Sequence, residues 1–332
     1  MGLSIGTIYS RSMLDVTRLR VLVAVARHGS VTAAARALNY AQPSVSHHLA
    51  RLEAETGIKL IQRAGRGIRL TDAGRLLAER AAEVIGRLDA AEHELAAYTG
   101  LRAGRLRMAA FRSALGTIVP AAASMLRGRQ PGIELRLTEA EPREALSMLR
   151  AGHVDVALVF RYSPDAEEPG AAGAETGPAG VVGDEDGIDI TQGMRERLLL
   201  NEPVHLVTAA HGTDQGPADL GRYARHLWIA GCDRCRASLL RQCALAGFTP
   251  KIAFTTDDYL AVQALVAADL GVSTLPALCL RAARHPGIRA VPLAGARRYV
   301  FAVRYGDPPD PPAVTLLMEV LRAAAEPGAP AA

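Results

Sequence analysis

The residues of this chain best suited to chemistry fall into two groups: a set of thiols, and a set of polar and basic side chains on helical spacing. Cys232 and Cys235 form a C-x-x-C, with Cys243 eight residues on and Cys279 farther away. A structural zinc site needs four good ligands, and no histidine stands at finger spacing from the pair, so no metal site is expected. A redox role has a physical basis, because thiols near a helix N-terminus have lowered pKa values and Cys235 precedes a predicted helix. In a reducing cytoplasm a buried or merely neighbouring thiol is the commoner outcome. Redox sensing through Cys232 and Cys235 is therefore the alternative reading. The chain carries no Gly-rich phosphate loop, no metal-ligand cluster and no catalytic triad. An enzyme is disfavoured on that ground, with no catalytic residues and no cofactor expected.

The second group is the more specific. Val45, Leu49 and Leu52 recur at i, i+4 and i+7, so they share one face of a helix entered through Pro43, a residue suited to the first turn. The opposite face carries His47 and Arg51, with Ser44 at its margin, Ser46 nearby and Gln42 at the entry. Such side chains read base edges and phosphates when a helix lies in the major groove. Gly57 after Thr56 is a left-handed terminator.

Upstream, Ala33, Ala34, Ala37 and Leu38 make a short helix capped by Ser30 or Thr32, and both hydroxyls join the DNA-contact candidates. Asn39 and Tyr40 form the turn. Leu19, Leu22, Val23 and Ala26 give a third helix that closes a small core. Downstream, Arg63, Arg66 and Arg69 surround Gly65 and Gly67 between the predicted strands Ile58–Ile61 and Ile68–Leu70, a hairpin with a basic tip placed to meet phosphates or the minor groove.

Charge agrees. Residues 14–71 hold nine Lys or Arg against three acids, a net of +6, whereas the whole chain is +4. With Arg11 outside this segment, residues 72–332 sum to −3. Positive charge is concentrated where DNA would lie.

In order and spacing this segment resembles the N-terminal winged helix-turn-helix of LysR-type transcriptional regulators. The residues that carry the likeness are Gly29-Ser30-Val31, Ala33-Ala34-Ala35 and Leu38, then Gln42-Pro43-Ser44-Val45-Ser46, Leu52-Glu53, Gly57, Leu70-Thr71 and Ala73-Gly74. One departure lies at the wing, where Leu60-Ile61-Gln62-Arg63 replaces the family's usual Leu-Phe-x-Arg. Met13-Leu14-Asp15 resembles the family's start, so residues 1–13 are expected to be a disordered extension of a DNA-binding domain over 14–71.

From Asp72 to about Thr99 the chain is free of proline, and Leu77, Ala81, Val84, Leu88, Ala91 and Leu95 alternate steps of four and three. That is a coiled-coil seam, so the helix over 72–100 is expected to join a homodimer and to bring two heads to a pseudo-palindromic double-stranded DNA site. The family resemblance extends this to a dimer of dimers and to contact with RNA polymerase.

Beyond Gly104 strands alternate with helices. Strands are predicted at Leu106–Phe111, Ile133–Leu137, Val154–Phe160, Val204–Val207, Leu227–Ile229, Ile252–Phe254, Val272–Leu275, Arg289–Leu293 and Tyr299–Val303. The fold class is α/β with an all-α N-terminal part. The 105–325 region is expected to form two α/β lobes, the first over about 105–190 and 288–325 and the second over about 195–287. Two lobes joined by crossing strands resemble periplasmic-binding-protein folds, the architecture of LysR-type effector domains. A small molecule, in the simplest case an anion, would sit between them at strand carboxyl ends and helix N-termini. The candidate contacts are Arg112, Ser113, Thr138, Glu139 and Arg161 from the first lobe, and Gly231, Cys232, Thr255, Thr256 and Asp257 from the second. Residues 163–189 are rich in Gly, Ala, Pro and acid and cannot bury enough apolar surface to order themselves, so they read as an insertion between the lobes. No apolar run reaches membrane-spanning length and no export pattern opens the chain, so a cytoplasmic protein is expected.

Overall fold

The structure, a computed structural model, describes residues 14–64, 67–98, 105–162, 175–176, 191, 193–211 and 218–326, with side chains throughout except at 63–64, 67, 89–90, 92–98 and 175–176. The extension 1–13, the hairpin tip at Gly65 and Arg66, the side chain of Leu95 and most of 163–189 lie outside the described residues. The chain divides into two compact units, the second beginning near residue 101.

The first unit runs α1 (Val16–His28), α2 (Val31–Leu38), α3 (Gln42–Thr56), β1 (Ile61–Ala64), β2 (Gly67–Leu70) and α4 (Asp72–Tyr98). Its boundaries have local causes. Asp15 caps α1 by accepting the Arg18 N–H at 3.0 Å, and Gly29 ends it in the left-handed region at φ 68°. Ser30 caps α2 by accepting the Ala33 N–H at 3.1 Å, so Thr32, the other candidate cap, lies inside the helix. Asn39, at φ 56°, closes α2 with a left-handed residue that a short polar side chain tolerates. Leu19, Leu22, Ala34, Val45, Leu49, Leu52 and Leu60 bury together with Ala78 and Ala81 of α4. Ala26 and Ala37, expected on the core face, are solvent-exposed.

The first strand of the hairpin starts three residues later than expected, while the second lies where it was expected, one residue longer. Ile58 is 54 % exposed, Leu60 drops into the core, and pairing starts only at Ile61 opposite Leu70. Glu53 explains the shift: its Oε1 accepts the backbone N–H groups of Leu60 (2.9 Å) and Ile61 (3.1 Å), and its Oε2 meets Lys59 Nζ at 2.6 Å. The carboxylate thus ties the entry of the wing to the last turns of α3. On the far side Thr71 Oγ1 donates to the Lys59 carbonyl and accepts the Gly74 N–H. A Cβ on Gly74 would stand 2.0 Å from the Leu60 carbonyl oxygen, so α4 can dock this closely only with glycine there.

The second unit contains β3 (Arg105–Ala110), α5 (Arg112–Leu115), α6 (Ile118–Arg129), β4 (Glu134–Glu139), α7 (Pro142–Arg150), β5 (Val156–Tyr162), β6 (Glu175–Thr176), β7 (Met194–Ala209), β8 (Leu227–Ala230), α8 (Asp233–Leu245), β9 (Lys251–Thr255), α9 (Tyr259–Ala267), β10 (Val272–Pro276), α10 (Ala277–Ala282), β11 (Ile288–Tyr305) and α11 (Pro312–Ala325). Its sheet runs β4-β3-β5-β11-β7-β10-β8-β9, with β6 paired to β7. β3, β4 and β5 are mutually parallel, as are β8, β9 and β10, and β7 and β11 run antiparallel between the two groups.

Two long strands replace the short ones expected. Val204–Val207 belongs to the 16-residue β7, and Arg289–Leu293 and Tyr299–Val303 fuse into the 18-residue β11. They pair along their lengths with a register shift between Pro292 and Arg297, where one group of parallel strands gives way to the other. Both lobes therefore share two continuous strands. The Glu175–Thr176 pair of β6 is a short exception to the lack of order expected between residues 163 and 189.

Candidate functional site: a DNA-reading head and a two-lobed cleft

In the head, α3 separates its two duties by face. Val45, Leu49 and Leu52 are at most 1 % exposed, while Gln42, Pro43, Ser44, Ser46, His47 and Arg51 all face solvent. No side chain caps the N-terminus of α3 and no acid lies in its first turn, so the protein leaves the positive end of this helix unneutralised. Arg51 makes one long ion pair, 3.6 Å to Glu55, whose carboxylate is also held by Arg18 at 2.9 and 3.1 Å. Its guanidinium is 64 % exposed and can redirect without breaking the core. Thr32 is exposed at the start of α2, whereas the Ser30 hydroxyl is engaged as the cap. Arg69 is exposed on β2 opposite Gln62 of β1. Arg66 and the side chain of Arg63 lie outside the described residues. Tyr40, placed only in the turn by sequence, stacks on His48 with ring centroids 5.9 Å apart and stays 42 % exposed.

The second unit has a narrow cleft, about 50 Å³ in volume, where its two strand groups meet. Strand carboxyl ends deliver most of its lining: Phe111, Arg112 and Ser113 follow β3, Gly231 and Cys232 follow β8, Thr256 and Asp257 follow β9, and Leu275 and Pro276 close β10. Of the ten expected contacts, Arg112, Ser113, Gly231, Cys232, Thr256 and Asp257 come together here.

The other four do not line it. β5 runs on through Tyr162, so Arg161 is a strand residue whose side chain points away from that of Phe160. It is buried on the opposite face, in a two-pronged ion pair with Glu196 and 4.7 Å over the Phe301 ring. Thr138 and Thr255 are exposed and still within their strands. Glu139 meets the site only through Arg112, Nε to Oε1 at 2.6 Å, and the acid that lines the cleft from this side is Glu141.

A buried ion pair in mid-strand reaches the cleft through Arg298. Arg298 of β11 stands opposite Glu202 of β7 in register, with Nε 2.6 Å and Nη2 2.5 Å from Oε1. Arg298 also donates to Ser113 Oγ at 3.0 Å and lies 5.1 and 4.9 Å from the rings of Phe111 and Phe160. Arg298 and Glu202 are both about 3 % exposed. Burial opposes the charge on Arg298, but Glu202 together with Tyr162, Cys279 and Cys235 outweighs it and holds the guanidinium pKa above its ordinary value.

The thiols close the opposite wall. Cys232 is the N-cap of α8, and its Sγ lies 2.8 Å from that of Cys235 one turn in. Tyr162, from the other strand group, places its hydroxyl 3.5 Å from Cys235 Sγ. The hydrogen bond with Cys232, against the effect of burial and with help from Tyr162 and the Arg298 charge, holds the Cys235 thiol below its ordinary range, and the same sharing pushes Cys232 up. Burial raises the Glu141 carboxyl, partly offset by its hydrogen bond with Cys232. Burial also pushes Cys279 up to about 12 and Cys243 to about 11. Among the described residues no group of three metal-ligating side chains forms a metal site.

A winged helix-turn-helix head followed by a two-lobed α/β unit with a cleft between its strand groups defines a DNA-binding regulator controlled through an effector domain. Comparison with known proteins gives it a family. The model for the bacterial regulatory helix-turn-helix protein, lysR family, matches residues 16–75, and the LysR substrate binding domain matches 99–170 and 181–326. The chain belongs to the LysR family of transcriptional regulators. The break between 170 and 181 falls inside the Gly- and acid-rich segment, as an insertion into the family pattern would. The chain is 29 % identical over 266 residues to the probable HTH-type transcriptional regulator LrrA of Synechococcus elongatus, spanning 80 % of this chain and 82 % of that one. It is 27 % identical over 295 residues to the uncharacterized HTH-type regulator YcgK of Bacillus subtilis, 87 % of this chain and 88 % of that one. In fold it is similar to CbnR, a LysR family transcriptional regulator, with a TM-score of 0.63 at 20 % identity over 95 % of this chain and all of that one. The full-length CbnR complex with its target DNA gives 0.61 at 20 % identity, covering 94 % of this chain and 100 % of that one.

Proposed function

We propose that this regulator reads DNA by laying α3 in the major groove, with Gln42, Ser44, His47 and Arg51 toward base edges. Ser30, Thr32, Pro43 and Ser46 lie beside the backbone, and Arg63, Arg66 and Arg69 supply phosphate contacts. The observation that carries this reading is the division of α3 into a fully buried apolar face and an exposed polar face. Two heads act together through α4. Leu77 and Ala81, expected in the seam, pack on the head instead, while Leu76, Val84 and Leu88 remain 54, 48 and 41 % exposed and supply an apolar surface for a second copy. A pseudo-palindromic site follows from the two-fold axis, with pairing of dimers and contact with RNA polymerase as the further steps. Action on DNA sets the cytoplasm and nucleoid as the place of work, and among the described residues no helix is long and apolar enough to cross a membrane.

The effector binds in the cleft, and closing the lobes about β7 and β11 biases the dimer. The charge balance argues against the simple anion expected from topology. Arg112 is paired with Glu139 and Arg298 with Glu202, while Glu141 and Asp257 also line the space. A neutral molecule, or one carrying a positive group, suits this lining better.

Nuclease footprinting of the full-length protein on DNA flanking its own gene tests the reading. Protection of a two-fold related sequence, weakened by Arg51→Ala, is expected. Uniform protection with no preferred site, unchanged by Arg51→Ala, would contradict it.

A further inference from the structure

The cleft wall contains chemistry that reversible binding of a ligand does not use. Two sulfurs lie 2.8 Å apart at the first turn of α8, half-buried and lining the cleft. Each faces a different partner. Cys235 Sγ receives the Tyr162 hydroxyl and lies in the field of buried Arg298, both of which favour a thiolate. Cys232 faces the Glu141 carboxyl, a group able to take its proton. The N-terminus of α8 adds its own positive potential, with Cys232 as the N-cap. Cys243 and Cys279 are buried and have their thiols pushed up by that burial, so they are poor competitors for the same chemistry.

We propose that Cys232 and Cys235 are a dithiol–disulfide couple built into the cleft wall, with Cys235 the attacking thiolate, Cys232 the resolving thiol, and a small organic disulfide entering the cleft as the oxidant. Cys235 Sγ attacks one sulfur of the incoming disulfide, forming a mixed disulfide and releasing one thiolate. Cys232 gives its proton to Glu141 and attacks Cys235 Sγ, which expels the second thiolate, and that thiolate takes the proton from Glu141. Two electrons pass from the protein pair to the small disulfide, and one S–S bond of about 2.05 Å forms as another breaks. The Tyr162–Cys235 contact crosses from β5 to α8, between the two strand groups, so closing the bond alters a contact that joins the lobes. The proposal rests on the effector-cleft reading only for the entry of the oxidant.

Thiol counting on the full-length protein, in the absence of DNA, tests it and keeps its failure separate from that of the footprint. Hydroxyethyl disulfide is titrated against mercaptoethanol, remaining thiols are tagged with a maleimide, and the bonded peptides are mapped by mass spectrometry. The count of four cysteine thiols is expected to fall by two, with the bond mapped to 232 and 235 and reversed by excess mercaptoethanol. Cys232→Ser is expected to trap one hydroxyethylthio group on Cys235, and Cys235→Ser to retain its remaining thiols under the same conditions. Retention of all four thiols across the titration would overturn the proposal, as would a bond mapped to Cys243 or Cys279. A Cys235→Ser protein modified at Cys232 as fast as wild type would equally overturn the assignment of the attacking thiol.

Discussion

The exposed polar face of α3 and the cleft place their polar residues in opposite ways. Gln42, Ser44, His47 and Arg51 stand in solvent above an apolar face that does the packing, and their one tie to the fold is the long Arg51–Glu55 ion pair. At the cleft, Arg298, Glu202 and Ser113 are buried; Arg298 bonds to both of the others, and it and Glu202 are anchored on the strands that join the lobes, while Ser113 comes from α5. A surface reader can change its contacts without risk to stability. A cleft made from core residues cannot, and its binding properties are tied to the integrity of the sheet.

The largest expected effect tests the cleft side of that contrast. Arg298→Met leaves the buried Glu202 carboxylate without its charge partner, holding only the Leu278 N–H, which costs about 3–5 kcal/mol. Denaturant unfolding should show this loss, with partial recovery in the Arg298→Met/Glu202→Gln double variant. A single variant as stable as wild type would show the pair to be dispensable and erase the difference between the two regions.

Next in size is Gly74→Ala, which drives a methyl group into the Leu60 carbonyl and must move α4 away from the wing. A loss of about 1–3 kcal/mol is expected from overpacking of this kind, confined to the head. Hydrogen exchange that slows or stays unchanged along α1 and β1 would contradict it.

Glu53→Ala removes the carboxylate that holds the wing entry, at a cost of about 1–3 kcal/mol. Partial burial alone would raise the Glu53 carboxyl, but Lys59 and the Ile61 and Leu60 N–H groups outweigh it and hold the pKa below the usual carboxylate value. A group lowered in this way adds stability that is fully present above its unfolded pKa and is lost as pH falls through its folded one. Wild type and Glu53→Ala should therefore differ most near neutral pH and converge in acid. A gap independent of pH would remove the electrostatic explanation.

The smallest effect on stability belongs to the reader itself. Arg51→Ala and His47→Ala should each change unfolding free energy by no more than about 0.5 kcal/mol, as exposed substitutions do. Greater destabilisation would mean that the exposed face has structural work after all.

Legibility in the sequence follows the same division. The head was readable almost residue by residue, because caps, turns and the i, i+4, i+7 row at Val45, Leu49 and Leu52 are local signals. The first strand of the hairpin starts three residues late because its entry depends on Glu53, a side chain eight positions away from Ile61. In the cleft, contacts at strand ends were found because topology exposes them. Arg298 and Glu202 were missed because they sit inside strands, and only the long-range pairing of β7 with β11 brings them together. A charged residue two positions before the buried Val300-Phe301-Ala302-Val303 run was the available signal for Arg298. Arg161 was misplaced for a related reason, since β5 extends past the residue taken as its end and strand alternation turns this side chain to the other face.

The most direct test of the central claim is an equilibrium titration of the footprinted duplex and a scrambled duplex with wild type and the His47→Ala/Arg51→Ala double variant, at several salt concentrations. Wild type should prefer the footprinted site by about 10³-fold or more. The double variant should lose several kcal/mol on that site, at about 1–3 kcal/mol per lost base contact, and much less on the scrambled duplex. Equal losses on both duplexes, or none on either, would contradict the assignment of sequence reading to the exposed face of α3.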